Sequence, residues 1–328
     1  MRDWNRRGVI GLVGGAAAWP FAARAQPHAL PVIGLLSSRS PVTDAPFIAA
    51  VRRGLSELGF AEGHHFETNY RWADGQYDRL PGLAADLVRR RVAVIVTMGG
   101  ESSALAAKLA TTTIPIVFIS GDPVKSGLVT NLHRPEGNIT GASVFLDDVG
   151  PKRLELVREL RPNVALIGML VNPSNPTSET QAAELQLAAR RLGQNVEILN
   201  ASSNREIETA FVRLAQMRAD ALLVAVDPHF HTRAVQFVVL AARHAIPTAY
   251  FRREFVVAGG LMSYGSNADE AYHVLGIYAA RILKGEKPSD LPIQRPTKFE
   301  LVINLGTARA LGLDMPPTLL ARADEVIE

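Results

Sequence analysis

The stretch IPIVFISGDPVKSG, residues 114–127, decides how the rest of the chain is read. Ile114 to Ile119 is a short apolar run of the kind that forms a buried strand, and it passes directly into a loop of Gly, Pro and Asp. Nucleotide-binding folds place a phosphate loop at such a step. The residue order speaks against one here. A phosphate loop needs its Lys-Ser/Thr pair after the second Gly, whereas Lys125-Ser126 precede Gly127. Pro123 removes one N–H donor, and Asp122 sets a negative charge where the phosphate would sit. The loop reads instead as the lip of a cleft that grips something else.

Working outward, β-rich runs alternate with helical stretches, the pattern of parallel strands joined by crossover helices. Strands are expected at Val32–Leu36, Phe66–Tyr70, Val92–Thr97 and Ile114–Ile119, with helices at Asp44–Leu58, Tyr77–Arg90 and Ser102–Ala110 between them. The second half repeats the plan. Its strands are Ala165–Val171, Val196–Leu199, Ala221–Val226 and Thr248–Phe251, and its helices are Ser178–Leu192, Arg205–Arg218 and Thr232–His244. Ile246-Pro247 echoes Ile114-Pro115, each ahead of an apolar strand. The fold class is therefore α/β, with two similar units. Asn138–Ser143 and Gly259–Gly265 are rich in Gly and sit where the chain would leave the first unit and return to it, so both are expected to be hinge crossings. Helix Ala268–Leu283 then rejoins the first unit, and Phe299–Asn304 offers a third crossing. The expected division is 28–141 plus 264–292 for the N-terminal lobe and 142–263 plus 293–328 for the C-terminal lobe.

The ends and the composition narrow the function. Arg6-Arg7 precede an uncharged run from Gly8 to Ala23 that closes on Ala23-Arg24-Ala25. This has the basic start, short apolar middle and small-x-small end of an export signal, and the paired arginines suit the twin-arginine route. Residues 1–25 are expected to be removed near Ala25, giving a periplasmic protein. The formal charge of +3, less the four arginines and plus the one aspartate of residues 1–25, becomes zero. A neutral mature chain carries no broad positive field for nucleic acid. No cysteine is present, which excludes disulfides, thiol catalysis and Cys-ligated metal.

Open parallel sheets bind ligands beyond the carboxyl ends of their strands. In the first unit those ends are Ser37-Ser38, Thr97–Gly100 and Ser120–Asp122; in the second they are Asn172–Asn175, Asp227 and the residues after Tyr250. Gly99, Gly100, Ser102 and Ser103 open a helix and suit a carboxylate or a plain N-cap. The prolines of Asn172-Pro173-Ser174-Asn175-Pro176 force an extended turn that leaves the amides of Asn172 and Asn175 free for a solute or for shaping the turn, and Ser178 with Gln181 has capping-box spacing. Asp227 could hold a ligand ammonium or cap the following helix, and with Asp122 across the cleft it would make an amine clasp. Tyr250 and Tyr264 offer rings to an aromatic or apolar ligand, or pack in the core. His229 and His231 beside Asp227 invite a metal reading, that of a secreted metal-dependent hydrolase, yet H-E-x-x-H, G-x-S-x-G and G-x-G-x-x-G motifs are all missing from the places that would need them. No catalytic residue, metal or cofactor is expected.

Taken together, IPIVFISGDPVKSGLV, RPEGNITGAS, KRLELVREL, VNPSNP, REFVVAGGLMSYG, PTKFELVINLGTARALGL and the terminal LLARADEVIE resemble the periplasmic substrate-binding proteins of ABC transporters, in the family that includes tryptophan binders. The likeness spans nearly the whole chain. It implies a periplasmic-binding-protein type I fold, two Rossmann-like lobes with parallel sheets joined by a three-segment hinge. It also implies closure on a small solute and delivery to an inner-membrane permease with its ATPase; a monomer is expected, and an amino acid is the favoured solute because acidic groups face Ser and Gly helix starts across an apolar cleft. Family contacts would map onto Ser37, Gly99, Ser102, Asp122, Asn172, Asp227, Tyr250 and Tyr264, to which the turn residue Asn175 is added. A sensor for a membrane partner would share this fold.

Overall fold

A computed structural model describes residues 29–144, 149–295 and 298–328, and residues 31–328 form one compact unit. The expected export signal at 1–25 lies outside the described residues. The first sheet holds β1 (Val32–Ser37), β2 (Glu67–Trp72), β3 (Val94–Met98), β4 (Ile116–Ser120) and β5 (Ile139–Ser143), all parallel, in the order β2-β1-β3-β4-β5. The helices that connect or cover it are α1 (Pro41–Glu57), α2 (Leu80–Arg89) and α3 (Glu101–Ala110). Then come α4 (Val149–Leu160), β6 (Leu166–Val171), α5 (Ser178–Arg191), β7 (Asn195–Asn200), α6 (Asn204–Gln216), β8 (Ala221–Val224), α7 (Pro228–Thr232), α8 (Ala234–Arg243), β9 (Thr248–Tyr250), α9 (Arg253–Val257) and β10 (Met262–Ser266). Helix α10 (Ala268–Leu283) follows, and the chain ends with β11 (Phe299–Asn304), α11 (Leu305–Ala310), α12 (Pro317–Leu320) and β12 (Glu325–Ile327). The second sheet runs β12-β11-β10-β9-β8-β6-β7, parallel except where β11 meets β10. This is the expected two-sheet α/β architecture.

Why these runs form central strands is visible in their two buried faces. Ile33, Leu35, Val94, Val96, Val117 and Ile119 face one way, onto α1 and α10. Leu36, Ile95, Ile116 and Phe118 face the other way, onto α2 and α3. Side chains alternate across a strand, so a strand covered on both faces must be apolar throughout. The edge strands β2 and β7 keep polar, partly exposed residues. The second sheet repeats the scheme, with Ile167, Met169 and Leu223 in one core and Leu170, Leu222 and Val224 in the other.

Helix α10 returns to the first sheet and crosses α1 at Gly54 and Gly276. A Cβ at Gly276 would run into the Val51 carbonyl oxygen, and one at Gly54 into that of His273. The two backbones approach this closely because both positions lack a side chain.

Two expected hinge crossings prove to be strands. Ile139–Ser143 pairs residue by residue with β4 and is buried, so Ala142 and Ser143 lie with the first sheet. Tyr264, on β10, pairs with Leu301 and lies with the second sheet. α4, the next element described after β5, packs in the core of the second sheet, and α10, directly after β10, packs on the first. Gln294, bridged to Ala142, lies with the first sheet, and β11 lies with the second. Gly, Thr and Ser give these strands the composition of turns, and their tertiary pairing overrides it.

Candidate functional site

Segments that follow strands of both sheets meet at a node built on Asp227. This residue follows β8 and is 1% exposed. Its Oδ1 accepts the Phe230 N–H at 2.9 Å and so caps α7. Its Oδ2 accepts three more donors: the Tyr77 hydroxyl at 2.9 Å, Asn175 Nδ2 at 2.9 Å and Asn172 Nδ2 at 3.2 Å. Tyr77 comes from the short helical turn before α2, in the first lobe, so this bond joins the two lobes directly. Burial, followed by the Asp227 charge, pushes the Tyr77 phenol well above its usual value and keeps it a donor.

The turn 172–176 exists to present these amides. Asn172 Oδ1 accepts the Ser174 N–H at 3.0 Å, and Asn175 Oδ1 accepts from Thr177. The two amides are thus bound to Asp227 and not free, as the sequence suggested. The capping box is also absent: Ser178 donates to the Asn172 carbonyl, while Gln181 clips the Val226 backbone through both ends of its amide.

Facing this node, Ser38 donates to the Gly99 carbonyl at 2.8 Å, and Ser37 accepts the Arg39 N–H at 3.1 Å. Gly99 has φ 79°, and a Cβ there would strike Ser38 Oγ. Pro228 of the second lobe approaches Gly100, and His229 lies against Gly75, where a Cβ would come within 2.7 Å of Nδ1. Ser102 sits in the first turn of α3, partly buried, and Ser103 Oγ is buried with no hydrogen-bond partner.

The loop that opened the reading is closed to phosphate by Glu101, which sequence reasoning passed over. Its Oε1 accepts from Ser120 Oγ and from the amides of Gly121 and Asp122. The donors of a would-be cradle already serve a buried carboxylate. Asp122 accepts the Val124 and Lys125 N–H groups at 3.0 Å and lies 3.6 Å from Lys125 Nζ. Lys125 in turn reaches Glu184 of α5 at 3.0 Å, a second bond between lobes. Asp122 and Asp227 therefore belong to separate clusters, and each already holds donors from the protein. Tyr250 is fully buried and stacked on Phe255, centroids 4.6 Å apart; Tyr264 stacks on Phe299 at 5.8 Å.

A third cluster was not singled out from sequence. Arg39 is buried, bound to Asp44 at 2.6 Å and to the Tyr272 hydroxyl at 2.8 Å, with its guanidinium 4.6 Å from the Phe47 ring centre. Arg252 of the second lobe lies 5.2 Å from that same ring. Phe47 also contacts His231, which packs among Phe251 and Phe255. A hollow of about 340 Å³ opens beside Phe47 and Arg252, of a size that suits a small ligand. Partners tens to hundreds of residues apart build this cluster, so no local motif marks it. Among the described residues no three His, Cys, Asp or Glu side chains are placed to hold a metal, and no helix is long and apolar enough to cross a membrane.

The family model described as "ABC transporter substrate binding protein" matches residues 45–327. A tyrosine-binding protein of Clostridioides difficile (strain R20291) is 27% identical over 279 residues, 84% of this chain and 80% of that protein. The solved ABC domain from Streptococcus pneumonia in complex with L-Trp superposes with a TM-score of 0.84 at 26% identity, covering 91% of this chain and 100% of that one. A substrate binding protein with adhesive properties from Clostridium difficile, in its ligand-free, open structure, gives 0.65 at 25% identity, covering 91% and 99%. The TM-score is higher against the L-Trp complex than against the ligand-free, open structure. With residues 45–327 matched, the chain belongs to the ABC transporter substrate binding protein family.

Proposed function

We propose that the chain is an extracytoplasmic receptor that captures an aromatic amino acid between its lobes and hands it, chemically unaltered, to the permease of an ABC transporter. The observation that carries this reading is the Tyr77–Asp227 bond, set among strand-end loops of both sheets. It supports a reading in which the two rims are held together around a solute. The tyrosine-binding relative and the L-Trp complex support the ligand class. Ser37, Gly99, Ser102, Asp122, Asn172, Asn175 and Asp227 form the rims; in this reading they shape and polarise the cleft, while the rings of Tyr250 and Tyr264 stiffen the second lobe behind it. Residues 1–25 direct export to the periplasm and are removed.

Binding without chemistry sets a modest energetic demand. A micromolar dissociation constant corresponds to about −8 kcal/mol. A ligand closes the lobes only through contacts that the open form lacks, so both rims must touch it. A thermal-shift screen against amino acids, purines, sugars and organic acids tests the proposal. At a hundredfold excess over Kd a true ligand adds about 2.7 kcal/mol, a rise of several degrees. L-tyrosine or L-tryptophan should give that rise. A shift from another solute class alone would overturn the ligand assignment.

A further inference from the structure

Two guanidinium groups share the Phe47 ring, but their surroundings differ. Arg39 has a carboxylate, Asp44, and a phenol, Tyr272, in hydrogen-bond contact. The Arg252 guanidinium makes neither an ion pair nor a hydrogen bond to any described residue; it lies over the Phe47 ring. The carboxylate bonded within this pair of cations, Asp44, is held by Arg39. Burial lowers the Arg252 guanidinium from its usual value and Arg39 adds to that, against Glu254, Tyr272 and Glu300. A partly buried guanidinium with no hydrogen-bonded partner is costly unless a ligand supplies one. Its planar fork matches a carboxylate in bidentate fashion.

The lining of the adjoining hollow says what kind of anion fits. Of its carboxylates, Asp269 is paired with Arg53 and Glu325 with Arg253; Glu300 accepts from Asn267, and Asp324 from the Leu301 N–H. Glu254 is the exception. Its Oε2 is buried without a hydrogen-bond partner, and the His231 Nε2 lies 3.9 Å away. One unbonded cation and one unbonded carboxylate oxygen thus stand two residues apart on the segment after β9, beside the rings of Phe47 and Phe251. A simple anion would meet the excess of acidic side chains; a zwitterion satisfies both groups.

We propose that Arg252 is the residue that recognises the α-carboxylate of the solute, with Glu254 receiving its ammonium group and Phe47 and Phe251 its side chain. This deepens the reading that the solute is an aromatic amino acid, and rests on it. It moves recognition from the Asp122/Asp227 pair, whose oxygens already hold protein donors, to the start of α9.

The test is calorimetric titration of the purified full chain and of Arg252→Gln with L-tyrosine and L-tryptophan, and with tyramine and tryptamine, which lack the carboxylate. The wild-type chain should prefer the amino acids to the amines by about 30-fold or more, and Arg252→Gln should lose about that factor for the amino acids while its affinity for the amines changes less than about twofold. Equal affinity of variant and wild type for the amino acids overturns the assignment, as does an equal loss for acid and amine. Should the variant not fold, the wild-type series alone decides, because tyramine bound as tightly as L-tyrosine shows that no carboxylate is read. A wild-type chain that binds none of the four overturns the amino-acid reading itself, and the assignment with it.

Discussion

Tyr77→Phe removes one oxygen from the bond that joins the lobes and leaves the ring in place. The phenol donates to Asp227 Oδ2 at 2.9 Å and accepts weakly from the His229 N–H at 3.4 Å. A hydrogen bond to a charged group contributes about 1.5–3 kcal/mol. Asp227 keeps Asn172, Asn175 and the Phe230 amide, so no bare carboxylate is left behind. The loss therefore falls on closure and not on the fold of either lobe. It shifts the closed-to-open ratio by roughly 10- to 150-fold, and because a ligand that needs the closed form binds in proportion to its population, apparent affinity falls by up to that factor. Calorimetry gives the affinity, and small-angle scattering of the ligand-free variant should show a more open particle. The melting temperature should move little. Unchanged affinity together with an unchanged scattering profile would refute the claim that this bond helps to hold the lobes shut.

Two further expectations concern the fold. Helix propensity alone makes Gly276→Ala stabilising by about 1 kcal/mol, whereas the contact with the Val51 carbonyl makes it destabilising by about 1–3 kcal/mol as α1 is pushed away; a higher melting temperature would refute the close approach. Burial, with Arg39 and Arg252 nearby, holds His231 well below its usual value, so the folded chain keeps it neutral. The unfolded chain binds that proton below about pH 6.5, so the contribution of His231 is complete above that pH and declines as pH falls, by up to about 1.4 kcal/mol per pH unit. Denaturant midpoints at pH 7.5 and 5.5 should therefore converge in His231→Phe, and an undiminished gap would show that other groups carry the acid sensitivity.

The parts of the fold that were legible are those whose burial is written in consecutive letters. Val94–Met98 and Ile116–Ser120 are covered on both faces, and nothing but a buried parallel strand suits them. β5 and β10 were misread as hinges because Gly141 and Gly265 imitate turn chemistry, although both residues lie in strands. Ser37, Gly99, Asn172 and Asp227 lie at or just after strand ends, as the strand-end rule expects, and the capping alternative weighed for Asp227 is the one that its Oδ1 adopts. The rule could not say that Asn172 and Asn175 would be consumed by Asp227, since that depends on packing across 52–55 residues of chain. Tyr77, Arg39 and Arg252 escaped notice for the same reason: Arg39 meets Tyr272 across 233 residues.

Titration calorimetry of the full chain with L-tyrosine and L-tryptophan, followed by recovery of the solute, addresses the core of the account. One molecule should bind per chain, with a negative heat-capacity change from burial of its ring, and should come back intact. Heats no larger than dilution for both compounds, or a recovered solute that has been chemically altered, would contradict it.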